Sequence, residues 1–448
     1  MARVYDLVVW GASGFTGRLA AEYLAKRYTP GGGGGGADPS SASSSAAAAE
    51  PVRWAIAGRD RAKLEGIRES IMQKHPHVKS IDILVGSTDD PASMEAVASK
   101  TNTMLSFAGP FAVFGMPVVD ACVKCGTDYC DITGEPTFIR AVVDKHDAAA
   151  KKSGTCIVNC VGYDSVPWDL GAWAVAKYLR DKGDECTLAV GHIGAAKGGV
   201  SGGTIASAIN LVTTTPWATL QKMGSPHFLA PAGTAPTDPA LLAKWKTQSG
   251  FKFDPDTKRW TMPSIMAGVN TKVVGRSATL APEQYGSSFA YDESDLCSGP
   301  GAAAAGTAAV GFFGAMLMFP PTRWLLQKGV LPKPGQGPSE KLRETGYAHV
   351  YVVGTGKAKA DGAAGDKVVS HMEFVNADPG YKGTAAMAVE AALCLALPAS
   401  RAQTPGKAAG GGCLTPATAL GQVLVDRINC TENLKFEVGP LADTVIRG

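Results

Sequence analysis

The sequence predicts an α/β fold in which a doubly wound parallel sheet is followed by a second α+β domain. Three observations predict it: an apolar run that ends in a glycine-rich turn at Gly11–Gly17, strand and helix patterns that alternate to about residue 165, and a mixed pattern after residue 185. Strands that alternate with helices form parallel sheets. A chain of 448 residues is long enough for two or three domains with sizeable cores.

The opening of the chain, VYDLVVWGASGFTG, predicts a dinucleotide-binding turn. The apolar run Leu7–Trp10 stops at Gly11, and a helical pattern begins after Gly14 and Gly17. In a Rossmann-type domain, the glycines let the backbone approach a pyrophosphate, and the helix N-terminus presents unpaired N–H groups to it. The spacing differs from the usual G-x-G-x-x-G, so a turn without a ligand is the alternative. The cofactor-binding residues predicted in this turn are Gly11, Ser13, Gly14, Phe15, Thr16 and Gly17.

Residues 30–50 interrupt the first β-α-β unit with six consecutive glycines followed by a segment rich in serine and alanine. A segment of this composition cannot bury a core, so we expect a flexible surface insertion. Without it, the distance from Gly11 to the end of the second strand at Gly58 is that of an ordinary β-α-β unit.

The end of the second strand predicts NADP in preference to NAD. NAD enzymes carry an acid there for the ribose hydroxyl, whereas this chain has Arg59, with Lys63 one helical turn further on. A guanidinium group matches a phosphate in charge and geometry, so we expect Arg59 and Lys63 to bind the 2′-phosphate. Asp60 is expected to cap the helix Arg61–Lys74. An ordinary solvated surface charge is the alternative for Arg59.

The alternation continues with strands at 80–85, 103–107, 128–131 and 156–161 and with helices at 117–124 and 135–152. The first domain is therefore assigned to residues 1–165. Residues 166–415 show a mixed pattern of strands and helices and are predicted to form an α+β substrate or dimerisation domain. The last segment, 416–448, predicts a helix and a strand, whose return to the first domain is left open.

An apolar segment lies at residues 296–328. Its dense part, Ala308–Phe319, has 12 residues and includes two glycines, whereas about 20 apolar residues are needed to span a bilayer. A spanning helix is therefore not expected. Trp324 between Arg323 and Lys328 is typical of a segment at a membrane or lipid-droplet surface. A buried helical hairpin and a homodimer contact are the alternatives.

Composition excludes several function classes. The net charge of +3 comes from scattered basic residues, which argues against a nucleic-acid partner. Ten cysteines include one C-x-x-C, Cys122–Cys125, without a second pair for zinc, so no metal site is predicted. The first apolar run is a strand rather than a signal peptide, so we expect an intracellular protein with reduced thiols.

Several sequence motifs along the chain together resemble those of the saccharopine dehydrogenase-like oxidoreductases, whose bacterial relatives include the mycobacterial trans-acting enoyl reductases. The resemblance covers nearly the whole chain except the insertion. It is carried by the blocks Gly11–Gly17, Ala57–Arg59, Ala108–Phe111, Tyr129–Glu135, Gly162–Pro167, Ser201–Thr204, Pro332–Pro338 and Asp378–Tyr381. It implies a Rossmann domain, NAD(P) chemistry and, in eukaryotes, association with lipid droplets and other membranes. It does not imply lysine metabolism.

Three of these blocks follow strands of the first domain, where doubly wound sheets bind their ligands. Ala108, Gly109 and Pro110 are predicted to line the cofactor path. Reduction of a carbonyl or enoyl group also needs a proton donor or an oxyanion partner, a role that tyrosine and carboxylic acids can fill. Turn-capping and packing roles are the alternatives. The catalytic candidates are Tyr129, Asp131, Tyr163 and Asp164.

The function predicted from the sequence is that of an NADP-dependent oxidoreductase acting on a lipid-linked or hydrophobic enoyl or carbonyl substrate. We expect it at the cytoplasmic face of a lipid droplet or membrane. Two alternatives remain: a non-catalytic nucleotide-binding fold that serves as a lipid-droplet, membrane or assembly component, and a saccharopine-type amino-acid dehydrogenase.

Overall fold

The structure is a computed structural model, which describes residues 3–29, 51–198, 209, 211, 213–245, 247–322, 337–359 and 361–448. The predicted insertion at 30–50, the block Ser201–Thr204 and the predicted interfacial Trp324 with its cations lie outside the described residues.

The first domain alternates strands and helices as the sequence predicts. In chain order these are β1 (Tyr5–Trp10), α1 (Phe15–Tyr28), β2 (Trp54–Gly58), α2 (Arg61–Lys74), β3 (Asp82–Val85), α3 (Pro91–Ala98), β4 (Thr101–Ser106), α4 (Phe111–Cys125), β5 (Asp128–Asp131), α5 (Pro136–Ser153) and β6 (Cys156–Val158). All these strands pair in parallel, in the spatial order β6-β5-β4-β1-β2-β3. This strand order is that of a Rossmann sheet, so the predicted fold class is confirmed.

The second domain is built on a mixed sheet. Its elements are α6 (Val166–Asp181), β7 (Leu188–Lys197), α7 (Trp217–Lys222), α8 (Pro239–Lys244), β8 (Lys252–Asp254), β9 (Arg259–Pro263), α9 (Ala267–Leu280), α10 (Pro282–Tyr285), β10 (Tyr291–Cys297), α11 (Pro300–Met318), α12 (Glu340–Thr345), β11 (Tyr347–Thr355), β12 (Lys367–Phe374), α13 (Thr384–Ala396), α14 (Pro398–Gln403), α15 (Pro405–Ala408), α16 (Pro416–Asn429) and β14 (Leu434–Pro440). The sheet order is β14-β12-β11-β7-β10-β9-β8, in which β7 and β10 are parallel neighbours and the other pairs are antiparallel. The predicted α+β character is confirmed.

The last quarter of the chain joins both sheets. A short strand, β13 (Gly412–Leu414), extends the first sheet beside β6, although the sequence assigns these residues to the second domain. Strand β14 pairs with β12 of the second sheet and so does not return to the first. Helix α13 is buried along its whole length and packs on α1, β4 and β5, while α16 contacts both α13 and α6. Helices α13, α16 and α6 therefore fill the space between the two sheets.

Helix α4 begins at Phe111, six residues before the predicted start at Pro117. The cause is a distant side chain. Glu135, at the end of the loop after β5, accepts hydrogen bonds from the backbone N–H groups of Phe111 and Ala112 at 3.0 and 2.8 Å. A carboxylate at this position satisfies two unpaired donors and offsets the positive end of the helix dipole, so the helix starts early and Pro117 lies inside it.

Helix α11 differs from the sequence expectation. Its 19 residues form one continuous helix in which Ala303 is the sole buried residue. By length and composition alone, α11 is long and apolar enough to cross a membrane, and it was the one such helix found among the described residues. The side chains of Phe312 and Phe319 are 68% and 58% exposed. Residues 300–318 therefore do not form the buried helical hairpin that the sequence left as an alternative.

A buried carboxylate ties the layers together. Glu390 of α13 accepts hydrogen bonds from the hydroxyls of Tyr23 and Tyr28 of α1 at 2.7 and 2.6 Å. It also forms an ion pair with Arg427 of α16 at 2.8 Å. The carboxylate is almost fully buried, so these partners replace the water it has lost.

We expect Glu390→Ala to lower the free energy of unfolding by about 3–5 kcal/mol, because it leaves the Arg427 guanidinium buried without its counter-charge. The matched control is Glu432→Ala, which breaks the exposed pair with Lys26 at 3.2 Å and should cost about 1 kcal/mol or less. Urea unfolding midpoints of the two variants compare them directly. Equal shifts would contradict the assigned role of Glu390.

Candidate cofactor and active site

The glycine-rich turn packs tightly against the strand beside it. Gly11 follows β1 with a φ of 77°, and a side chain there would place its Cβ 2.9 Å from the backbone nitrogen of Ala108. A Cβ on Gly17 would overlap the carbonyl oxygen of Gly11. Gly14 precedes α1 without a side chain to cap it. The first turn of α1 is therefore an N-terminus open to an anion, as a pyrophosphate site requires.

The other predicted residues of this turn have different surroundings. Ser13 is exposed and Thr16 is half-buried in the first turn of α1. The ring of Phe15 packs edge-on against Tyr381 at 5.3 Å between centroids, and Arg343 lies over it at 5.4 Å. Phe15 thus contacts the segment before α13, whereas Ser13 and Thr16 stay predictions for the phosphates.

Arg59 is the unpaired cation at the end of β2. Its side chain is exposed and makes no hydrogen bond or ion pair with another described residue. Asp60 caps α2 as predicted, because its carboxylate accepts from the backbone N–H of Lys63 at 3.1 Å. The Lys63 ammonium lies 3.5 Å from the same carboxylate. The charge of Lys63 is therefore partly offset, while that of Arg59 remains available to a phosphate.

The loop Ala108–Pro110 lies against the glycine turn. The backbone N–H of Phe107 donates to the carbonyl of Trp10 at 2.9 Å, which carries the register of β1 and β4 up to this loop. The close approach of Gly11 and Ala108 puts the two predicted cofactor loops in contact. The N-terminus of α4, which follows, is already occupied by Glu135.

Two of the four catalytic candidates are enclosed in the first domain. The Tyr129 hydroxyl donates to Asp131 at 2.9 Å, and both residues are fully buried. Asp131 also accepts from the side-chain amide of Asn159 at 2.8 Å and from the backbone N–H groups of Thr133 and Cys160 at 3.1 and 3.3 Å. Burial raises the pKa of Asp131 to about 6 despite these donors. The pair is arranged to hold the ends of β5 and β6, and a catalytic role for it stays a prediction.

Tyr163 and Asp164 lie where the first domain meets the second sheet. The Tyr163 ring packs edge-on against Trp168 of α6 at 5.3 Å and Phe374 of β12 at 5.4 Å. Both candidates are half-buried. Asp164 makes no hydrogen bond or ion pair with another described residue, and burial raises its pKa to about 6. Burial, followed by the charges of Asp164, Asp295 and Glu293, raises the pKa of Tyr163, so its hydroxyl keeps its proton.

Glu293 and Asp295 of β10 are acidic residues near Tyr163 that the sequence analysis missed. Glu293 is fully buried, and burial is the main reason that its pKa rises to about 8. Asp295 is half-buried, and its pKa rises to about 6 for the same reason. The spacing of two residues between them is the one signal in the sequence that could have paired them, since alternate residues of a strand lie on the same face. The stretch YDESDLC did not indicate a strand because acidic residues are rare in buried strands.

No group of three or more His, Cys, Asp or Glu side chains suited to a metal ion was found in the part of the chain that the structure describes. The candidate site therefore consists of the glycine turn, Arg59, the loop Ala108–Pro110, and a cluster of acidic and aromatic side chains at the second sheet.

Relatives align with nearly the whole chain. A trans-acting enoyl reductase of Mycobacterium leprae is 31% identical over 439 residues, which covers 95% of this chain and 96% of that protein. A Mycobacterium tuberculosis protein, whose name gives the same activity provisionally, is 33% identical over 437 residues with the same two shares. A family model described as saccharopine dehydrogenase NADP binding domain matches residues 33–158. That match begins after the glycine turn and includes Arg59; it confirms NADP as the cofactor.

A solved structure supports the fold. Apo saccharopine dehydrogenase (L-Glu forming) from Saccharomyces cerevisiae aligns with 97% of this chain and 100% of its own, with a TM-score of 0.51 and 12% sequence identity. At this identity, the likeness extends to the arrangement of the two sheets and not to the chemistry of the site.

We expect Arg59→Ala to weaken NADPH binding at least tenfold and NADH binding less than twofold, because only NADPH carries the 2′-phosphate. Titration followed by nucleotide fluorescence measures both. Arg61→Ala is the matched control, since Arg61 pairs with Glu65 at 3.7 Å on the exposed side of α2. A similar loss for both nucleotides would show that Arg59 does not select the phosphate.

The raised pKa of Glu293 predicts a pH-dependent stability. Between its ordinary pKa of 4.5 and about 8, the folded protein holds a proton that the unfolded chain releases. The free energy of unfolding should therefore fall as the pH rises through this window. Glu293→Gln should make the fall shallower, as measured by melting temperatures from pH 4.5 to 8. Parallel curves for the wild type and the variant would contradict the protonated state.

Proposed function

This chain belongs to the saccharopine dehydrogenase-like oxidoreductases and uses NADP, and from that premise we propose that it reduces an enoyl or carbonyl group of a hydrophobic, lipid-linked substrate. The reaction would take place inside the cell, at the cytoplasmic surface of a membrane or lipid droplet. The observation that carries the proposal is the exposed apolar helix α11, which packs beside the strand that bears Asp295.

The cofactor would be held by the residues that fit it. The backbone at Gly11–Gly17 would receive the pyrophosphate, Arg59 the 2′-phosphate, and the loop Ala108–Pro110 would line the path toward the second sheet. When bound, NADPH supplies a hydride. The chain's own side chains must orient the substrate, exclude water and supply the proton.

The placement of α11 supports a substrate with an apolar tail. A side chain on Gly306 of α11 would overlap the sulfur of Met262 of β9, so the helix lies directly on this strand. Met262 is the antiparallel partner of Asp295, and opposite residues of such a pair point to the same face. An acyl chain along α11 would thus have its polar end near Asp295.

Further exposed apolar side chains extend this surface. Phe251 and Phe253 at the sheet edge are 47% and 51% exposed, and both rings pack against Trp260. Ile265, before α9, is 60% exposed. Lys252 stands between the two phenylalanines. Aromatic rings beside a cation are typical of segments at a lipid surface, where the rings enter the acyl region and the cation contacts headgroups.

The relatives support the chemical class of the substrate. Their names describe trans-acting enoyl reductases. An enoyl substrate fits the activity in those names, and a long acyl chain on it would fit the exposed apolar surface of α11. A homodimer that covers α11 is the competing explanation for its exposed side chains.

We expect the wild-type protein to float with phosphatidylcholine vesicles in a density gradient, and Phe312→Asp combined with Phe319→Asp to bind them at least tenfold more weakly. Each phenylalanine that enters the lipid is worth about 1.5–3 kcal/mol. Val445→Asp is the matched control, because Val445 is 78% exposed but lies at the C-terminus. Sedimentation measures the competing outcome: a dimer that the double variant dissociates, without vesicle binding, would replace the lipid surface by a subunit contact.

A further inference from the structure

We propose that Asp295 donates the proton in the reduction and that Glu293 is the positioning residue behind it, so that the second sheet supplies the acid that the first domain lacks. This inference deepens the proposed function and rests on it. It goes beyond the residues named from the sequence, because β10 was not recognised as part of the site.

The backbone places these two carboxyl groups on the side of the sheet that faces the first domain. Glu293 is the parallel neighbour of Gly191 in β7. A side chain on Gly191 would lie 2.6 Å from Cδ1 of Trp168 and 2.5 Å from the Tyr291 hydroxyl. Trp168 packs in turn on Tyr163. A small residue at 191 therefore lets the segment after β6 approach the acidic side chains of β10.

Glu293 is held from three sides. One carboxyl oxygen accepts from the Ser264 hydroxyl at 3.0 Å and the Asn270 amide at 3.3 Å, and the other accepts from the Tyr291 hydroxyl at 3.1 Å. No cation among the described residues is within ion-pair distance of it or contributes to its pKa shift. A buried carboxyl group without a counter-charge favours its neutral form, and burial accordingly raises its pKa.

Asp295 is placed differently. It is half-buried, so part of it is open to solvent, yet its Oδ1 is shielded and lacks a hydrogen-bond partner in the described residues. Glu293 lies two residues away on the same face of β10. Two neighbouring carboxyl groups resist a double negative charge, which keeps a proton on the pair. Asp164, also half-buried and without a described partner, follows Tyr163 in the chain, and the charges of Asp164, Asp295 and Glu293 all act on the Tyr163 hydroxyl.

Two fully buried polar atoms point to a ligand in this place. The indole nitrogen of Trp168 and the side-chain oxygen of Asn270 have no hydrogen-bond partner among the described residues, although both residues have an exposure of 0%. Unsatisfied groups of this kind are costly in a folded protein. Trp168 flanks Tyr291, and Asn270 contacts Glu293. Beside the acidic side chains, the cluster therefore has a free hydrogen-bond donor on Trp168 and a free acceptor on Asn270.

Reduction of a carbon–carbon double bond conjugated to a carbonyl needs a hydride, which NADPH supplies, and a proton. The O–H bond of the Asp295 carboxyl breaks, and its proton forms the new C–H bond at the carbon next to the carbonyl. The bonding electrons of that O–H stay on Asp295, which becomes a carboxylate. Asp295 recovers a proton from water before the next turnover.

The test compares Asp295→Asn, Glu293→Gln and the control Asp292→Asn in the full-length protein. Asp292 is adjacent on β10 but points to the other face, where it accepts backbone N–H bonds from Gln248 at 3.2 Å and Glu293 at 2.7 Å. The readouts are NADPH oxidation with a long-chain 2-enoyl thioester across pH, NADPH affinity by fluorescence, and the infrared band of protonated carboxyl groups.

We expect Asp295→Asn to lower kcat about 100-fold or more, a usual loss for a general acid, with NADPH affinity unchanged within twofold. Glu293→Gln should move the alkaline limb of the kcat profile to lower pH and remove a protonated-carboxyl band, with little change in KM. Asp292→Asn should change none of these. Full activity in Asp295→Asn would overturn the inference while leaving the proposed function intact. A wild-type protein that binds NADPH but reduces no enoyl or carbonyl substrate would instead refute the proposed function.

Discussion

The constraint on which the structure depends is the burial of acidic side chains between two sheets. A buried carboxylate is tolerated only with hydrogen-bond donors or a counter-charge. Glu390 has Arg427 and two tyrosine hydroxyls, and Asp128 has Lys407 at 2.5 Å together with Arg401. Asp169 of α6 accepts from the backbone N–H of Ala417 at 2.8 Å and from the Ser277 hydroxyl. Each of these acids joins elements that are far apart in the chain, and so the two domains share one interior.

Against that background the acids at β10 are an exception. Glu293 has donors but no described cation, and Asp295 and Asp164 have neither a cation nor a full set of donors. Glu390, Asp128 and Asp169 each have hydrogen-bond donors or a counter-charge. The acids of β10 lie near Tyr163, at the end of the first domain, without such a full set of partners. Carboxyl groups whose pKa values are raised by burial and which lack a counter-charge are typical of sites of acid–base chemistry. Helix α11 packs on the same face of the sheet, on the neighbouring strand β9. The acids of β10 therefore lie beside an apolar surface.

Local signals in the sequence predicted much of the first domain. The strand before Gly11 and the cap at Asp60 follow from patterns within a few residues, and the parallel pairing follows from the alternation of strands and helices. The failures have distant causes: Glu135 starts α4 early from 24 residues away, and β13 joins β6 across about 250 residues. The sequence did not predict Glu293 and Asp295 as site residues, because their raised pKa values depend on burial and on neighbours that are distant in the chain. The exposure of α11 likewise depends on which elements pack on it, which periodicity does not reveal.

We propose one NADPH-dependent reduction that is served both by the exposed apolar helix α11 and by an acid from the second sheet. The most direct measurement is the rate of NADPH oxidation by the wild-type protein with 2-enoyl thioesters of short and long acyl chains, each presented with and without phosphatidylcholine vesicles, and with saccharopine as the comparison substrate in the oxidative direction. We expect turnover that rises with acyl chain length and in the presence of vesicles, and no turnover of saccharopine. Turnover of saccharopine, or NADPH binding without reduction of any acyl substrate, would contradict it.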